Sequence, residues 1–240
     1  MLLGLILRGV AFDFRAKVRP KHKRVWDKAF KFGSLLAAFM QGYMLGMYIM
    51  GFEQSPEGFL FALLSGVGVT AAYCFIGACW LIMKTEHDLQ LKAVAWAQKC
   101  AWLCFVGVIG VCIVNPLIND LVWQRWTSLP SALFIWPIPF VCLSLFVVCH
   151  SVLQRLPLED DAGCWLPFII ALLIFDFCFQ GLAVSFFPYI VPGKMDIFAA
   201  ASAPASLRFI LVGAVIVVPC ILAYTAFSYR VFWGKATDLK

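Results

Sequence analysis

Residues 59–83 read FLFALLSGVGVTAAYCFIGACWLIM, twenty-five residues without an acidic, basic or histidine side chain. As a helix rising 1.5 Å per residue the run measures about 38 Å, enough to cross ~30 Å of hydrocarbon with some tilt. Inside a bilayer no water satisfies the backbone, so a run of this kind is read as a helix, which bonds its own N–H and C=O groups. The pattern recurs along the chain. Apolar runs bounded by charges or Pro/Gly breaks cover 32–51, 96–114, 132–150, 164–187 and 207–230. Residues 1–14 form a shorter segment that resembles the last part of a helix and covers only ~20 Å. The expected fold is all-α: a polytopic membrane helix bundle with six full transmembrane helices plus a partial N-terminal one, as a single membrane domain over 1–240.

Composition excludes an ordinary soluble domain. Hydrophobic residues make up 63% of the chain, charged residues 13%, and mean hydropathy is +0.90, whereas a globular domain carries about 25% charged residues. The first residues do not read as a secretory signal, since no basic stretch precedes the apolar one and no small-residue cleavage site follows it. The net charge of +6 matters through its distribution and gives no reason to expect nucleic acid. The connection after the first helix carries Arg15, Lys17, Arg19, Lys21, Lys23, Arg24, Lys28 and Lys31. Alternating onward, the same side receives Lys84, Lys92, Lys99, Arg155, Arg230, Lys235 and Lys240, and the other only Arg125, Lys194 and Arg208. Fifteen cations against three place the basic side in the cytoplasm, and the C-terminus with it. The first basic loop is also within reach of anionic headgroups. Trp123, Trp126, Trp136 and Trp165 flank span ends as interfacial anchors. Pro137, Pro139, Pro167 and Pro219 fall in or at the ends of spans, and the prolines of the 188–206 connection exclude a long helix there.

Polar groups at membrane depth are the candidates for chemistry. Arg8 interrupts Leu2–Val10, where an arginine costs roughly 2.5–3.5 kcal/mol on insertion scales. Asp13 lies five residues on and points about 140° away at 3.6 residues per turn, so Arg8 is expected to find a carboxylate or carbonyl on another helix. Its two readings are a structural ion pair and a member of a proton path. Asp176, in LLIFDFCFQGLAV, shares a helical face with Gln180. It is either a neutral, hydrogen-bonded packing group or part of a proton relay. Gln41 is expected to bond across helices.

The remaining reactive residue types carry little. Ten cysteines lie in or beside apolar runs, with no CxxC and no zinc spacing, and read as buried thiols packed as small hydrophobes. His150 ends a span, but one edge histidine does not make a haem site; His22 and His87 read as solvated. No Walker loop, nucleophile elbow, HExxH or dinucleotide fingerprint occurs. The chain is expected to bind no metal or cofactor of its own and to supply no catalytic residue.

Four stretches carry a resemblance when taken in order: LRGVAFDFR at the start, GACWLIMKT at 77–85, FPYIVPG at 187–193 and SLRFILVGAVIVVPCILAYTAFSYRVFWGK at 206–235. Together they resemble subunit II of cytochrome bd-type quinol oxidases, the tail being most similar to the cyanide-insensitive branch. The resemblance implies two four-helix bundles plus a peripheral helix, paired with a subunit I that carries haems b and d and the quinol-binding loop. It implies a bacterial inner-membrane complex that oxidises quinol at the outer face and reduces dioxygen to water. A small accessory subunit and a quinone held at the complex belong to the same expectation. Counted back from a cytoplasmic C-terminus in a nine-span family, residues 1–14 are the remainder of span three, and the family's GFDLG-like and WDGNxxWL-like stretches have no counterpart. Arg8 matches the arginine of the family's FRGVAF-type motif. In DIFAAAS, at 196–202, Phe198 keeps an aromatic, but Ala199 stands where the family has an acid. A secondary transporter and a non-functional truncated remnant of the oxidase subunit are the alternative readings.

Overall fold

The computed structural model describes the chain except residues 130, 157–162, 233 and 236–240. Lys240, counted above among the basic-side cations, lies outside the described residues. The elements are α1 (Leu2–Lys17), α2 (Pro20–Ile49), α3 (Pro56–Lys84), α4 (His87–Ile118), α5 (Asp120–Thr127), α6 (Ser131–Ile135), α7 (Pro137–Arg155), α8 (Leu166–Phe186), β1 (Tyr189–Val191), β2 (Met195–Asp196), α9 (Ile197–Ala200) and α10 (Pro204–Val231). Among the described residues six helices, α2, α3, α4, α7, α8 and α10, are long and apolar enough to cross a membrane. The architecture is an all-α polytopic membrane bundle.

Helices α2, α3, α4 and α10 start before their apolar runs, whereas α8 lies within the run at 164–187. Proline stands in the first turn of α2, α3 and α10, where its missing N–H costs nothing. Ser55 caps α3 by accepting from the Gly58 N–H at 3.0 Å. The basic stretch 20–31 thus belongs to α2, which starts twelve residues before the apolar run at 32. The run at 132–150 is not one helix: α6 ends at Ile135, and α7 begins at Pro137 and continues to Arg155. Pro137 and Pro139 donate no backbone N–H and start α7 afresh. The connection between α8 and α10 holds an antiparallel two-stranded ladder, with Tyr189 opposite Asp196, and Asp196 Oδ1 accepts from the Ala199 N–H at 2.6 Å to cap α9.

The helices α3, α4, α7 and α8 pack in a ring, each against the next, and α8 closes back on α3. The core lies inside this ring and includes Phe75, Ile82, Cys104, Phe146, Leu153 and Ile174. Ala93, Ala97 and Ala101 recur at four-residue spacing along α4 and are buried there, small residues that let neighbouring backbones approach. α2 packs on α3, and α1 on α2. These crossings are held by glycine. A Cβ on Gly46 would lie 2.6 Å from Ala62 Cα and 2.9 Å from Ser65 Cβ; one on Gly42 would lie 2.6 Å from the Ser65 carbonyl oxygen. At the α1–α2 crossing a Cβ on Gly4 would lie 2.9 Å from the Gly33 oxygen.

The last span stands apart. No residue of α10 is buried. It is held at its C-terminal end, where Lys84 Nζ donates to the carbonyls of Phe232 at 2.7 Å and Gly234 at 2.9 Å. Tyr229 also meets Trp80 edge-on at 5.8 Å. A lysine at a helix C-terminus also complements the helix dipole.

The glycine crossings give a direct test. Gly46→Ala places a methyl group into the α3 backbone and should destabilise the purified chain by about 1–3 kcal/mol. A Cβ on Gly77 meets nothing within 4 Å, so Gly77→Ala should be neutral or stabilising by up to about 1 kcal/mol. Unfolding in mixed detergent micelles reads both.

Candidate functional site

The two sequence candidates lie on different parts of the fold. Arg8 emerges from α1 at its crossing with α2: a Cβ on Gly33 would sit 2.9 Å from the Arg8 backbone nitrogen. Its side chain is exposed, and the guanidinium stands 5.6 Å from the ring centroid of Phe30 on α2. The expected carboxylate or carbonyl partner is therefore replaced by an aromatic face, a weaker electrostatic contact. The ion pair of this hairpin is made nearer its turn, between Arg15 Nε and Asp27 Oδ1, beside stacked Phe14 and Trp26 rings at 5.0 Å. Asp13 is exposed. The tight α1–α2 crossing forces this arrangement, because no room remains between the backbones for Arg8 to turn inward.

Asp176 is the central residue of α8, ten residues from either end, about 15 Å each way. It and Gln180 are both exposed on this chain's surface. Its neighbours in sequence, Phe175 and Phe177, turn to the interior side, and Phe175 stacks on Tyr73 of α3 with centroids 6.4 Å apart. Arg8 and Asp176 are not brought together.

The bonds that join helices come from residues other than Gln41, which is half-buried on α2. Gln98 Nε2 donates to the Leu153 carbonyl at 3.0 Å, tying α4 to α7. Gln90 Nε2 donates to the Ile82 carbonyl at 3.2 Å, joining α4 to α3. Trp126 Nε1 donates to Ser185 Oγ at 3.4 Å, and Trp136 Nε1 to the Trp126 carbonyl at 3.0 Å. These two tryptophans, expected only as anchors, also lock α5 to α8 and to the start of α7.

A cleft of about 450 Å³ opens between the ring helices and α2. Its walls are apolar except for a few groups, chiefly Ser65, Asn115 and Ser185. Ser65 Oγ and Asn115 Oδ1 are buried without a hydrogen-bond partner. Neither was singled out from sequence. Asn115 sits just beyond the 96–114 run, directly before Pro116, and that break in an apolar helix was the available signal. Among the described residues no group of three or more His, Cys, Asp or Glu side chains is placed to hold a metal ion. His150 lies on α7 with Nδ1 buried and without a hydrogen-bond partner. Its Nε2 is 2.9 Å from Gln154 Nε2, its ring meets Trp102 edge-on at 5.5 Å, and it is not among the residues that line the cleft. The ten cysteines are free thiols, but Cys74 and Cys220 are exposed rather than buried.

Comparison with known proteins supplies what the geometry alone does not. Residues 1–232 match the family model of cytochrome bd terminal oxidase subunit II. Subunit 2 of the cytochrome bd-I ubiquinol oxidase of Escherichia coli K12 is 25% identical over 281 aligned positions, 99% of this chain and 73% of the relative. Subunit 2 of the cytochrome bd ubiquinol oxidase of Bacillus subtilis is 26% identical over 250 positions, 97% of this chain and 70% of the relative. A probable cytochrome oxidase subunit 2 of Haemophilus influenzae is 25% identical over 98% of this chain. This membrane helix bundle belongs to the cytochrome bd terminal oxidase subunit II family.

Proposed function

We propose that this chain is the non-haem subunit of a bacterial inner-membrane complex that oxidises quinol and reduces dioxygen to water. The observation that carries the reading is the family match over residues 1–232. In this reading the haems are held by subunit I. The haems supply the electron transfer and dioxygen chemistry; this chain braces the neighbouring subunit, shapes the proton route and supplies no catalytic residue.

The fold supports this division of labour. The ring core is closed by apolar packing and short interhelical bonds, a rigid wall for a partner to lean on. Lys84 ties the C-terminal ends of α3 and α10 together, so both ends lie on one side of the membrane. The excess of Lys and Arg on that side supports its being the cytoplasmic one. The cleft, with apolar walls and unpartnered Ser65 Oγ and Asn115 Oδ1, suits a quinone ring or a lipid chain with a donor at its head. Arg8 belongs to the proton route, since its guanidinium lies at depth and at the surface of the hairpin, about 14 Å along α1 from Lys17, where a partner's acidic group or a water file can reach it.

Two outcomes test the proposal. Purified from its own membrane, the chain should co-purify with a second polypeptide and give a haem reduced-minus-oxidised spectrum. Recovery alone, without haem, or solute uptake by vesicles containing only this chain, would contradict it. In the assembled complex Arg8→Gln should slow oxygen reduction about tenfold with haem content unchanged; loss of assembled haem instead would make Arg8 a structural residue.

A further inference from the structure

We propose that the face of α2 bearing Arg24, Lys28 and Lys31 is a binding site for an anionic phospholipid, whose phosphate sits on the three cations and whose acyl chains run into the wedge where α3 leaves α2. The inference does not depend on the oxidase reading above. At 3.6 residues per turn Arg24, Lys28, Lys31, Leu35 and Gly42 fall within about 60° of one another around α2. At Gly42 this face is packed against α3: an added Cβ would lie 2.6 Å from the Ser65 carbonyl oxygen. Nearer the start of α2 the same face is open. Leu35 is 55% exposed, and Lys31, Lys28 and Arg24 are exposed. The packing of α1 leaves it open, because α1 meets the opposite side of α2, at Gly33. The α3 side agrees. Gly66 meets α2, an added Cβ lying 2.7 Å from the Phe39 ring. Gly77 is three turns on, on the same face of α3 and, in this antiparallel pair, level with Lys28. An added Cβ there meets nothing within 4 Å. The two helices therefore touch at Gly42 and Gly46 and part toward the α1–α2 turn.

Height and charge name the occupant. Leu35 lies in the apolar run that begins at residue 32, and Lys31, Lys28 and Arg24 follow at about 2, 6 and 12 Å from its start. The headgroup layer of one leaflet is about 5–7 Å thick, and the long stems of lysine and arginine lie along apolar surface while their charges stay in that layer. The anion present at this height is the phospholipid phosphate. The site holds no counter-charge of its own. Among the described residues none of the three cations forms an ion pair, and the neighbouring acid, Asp27, is taken by Arg15 Nε. Lys84, at the corresponding end of α3, is occupied by the Phe232 and Gly234 carbonyls. A zwitterionic lipid brings a cation together with its phosphate, so three unpaired cations select a headgroup of net negative charge. An extended acidic peptide reaching Leu35 would carry unpaired backbone groups below the headgroups, a cost that an acyl chain does not have.

The test uses the full chain purified from its own membrane with the proteins that accompany it. Phosphatidylglycerol and phosphatidylcholine are added in equal amounts, and the lipid retained is read by native mass spectrometry. Phosphatidylglycerol should be retained in preference, and Lys28→Gln with Lys31→Gln should weaken its binding about tenfold. Lys17→Gln with Lys23→Gln removes the same charge from beside the face and should leave most of the preference. Gly77→Leu fills the wedge and should weaken long-chain phosphatidylglycerol while sparing a short-chain one. A photo-crosslinking phenylalanine analogue at position 35, with every cation intact, should capture lipid in the native membrane. Equal retention of the two lipids, equal loss from both double variants, or capture of a polypeptide alone at position 35 overturns the site. Displacement of the lipid by excess inorganic phosphate, or no effect of Gly77→Leu, overturns the wedge as the seat of the acyl chains.

Discussion

A polar group at hydrocarbon depth must be covered, and most of this structure is the record of how that is done. Backbone groups are covered by helix formation itself. Side chains are covered by bonds that also bind the helices: Gln98 to the Leu153 carbonyl and Gln90 to the Ile82 carbonyl. Two ionisable groups escape this solution. Arg8 and Asp176 carry opposite formal charges, lie on separate helices, and are both exposed on the surface of the chain. Ser65 Oγ and Asn115 Oδ1, buried at the cleft, are also without a hydrogen-bond partner, so polar groups are left open both at the surface of the bundle and within it.

The α1–α2 and α2–α3 crossings are close because glycines and small residues replace bulk at the contact, and within the membrane such packing stands in for the hydrophobic effect. The ring α3–α4–α7–α8 is self-sufficient in this sense. α10 is not: it is fastened near its C-terminus by Lys84 and Trp80 and buries no residue along its length. Its apolar surface is available to lipid or protein, and the fixed end sets only where that surface begins.

Much of the fold was legible in sequence because the bilayer imposes a simple rule on length and polarity. Residues 59–83 announce a spanning helix without any knowledge of their neighbours, and so does 164–187. The rule fails where covalent geometry decides instead. Pro137 and Pro139 break the run at 132–150 into α6 and α7, and Pro20 starts α2 among charges that hydropathy excludes. The candidate site was less legible. Depth along a helix can be counted, so Arg8 and Asp176 stood out. Which way a side chain faces depends on where the neighbouring helices pack, and the tight Gly4–Gly33 contact that turns Arg8 outward has no signature in residue 8 itself. Asn115 and Ser65 gain their interest only from the cleft that the ring helices enclose with α2.

The central claim is that this chain works as one subunit of a haem-bearing oxidase complex. Size-exclusion of the material solubilised from its own membrane, followed both at the haem Soret band and with an antibody to this chain, measures this directly. The account predicts that haem and chain elute together, at a size larger than the chain alone. Elution of the chain apart from all haem would contradict it.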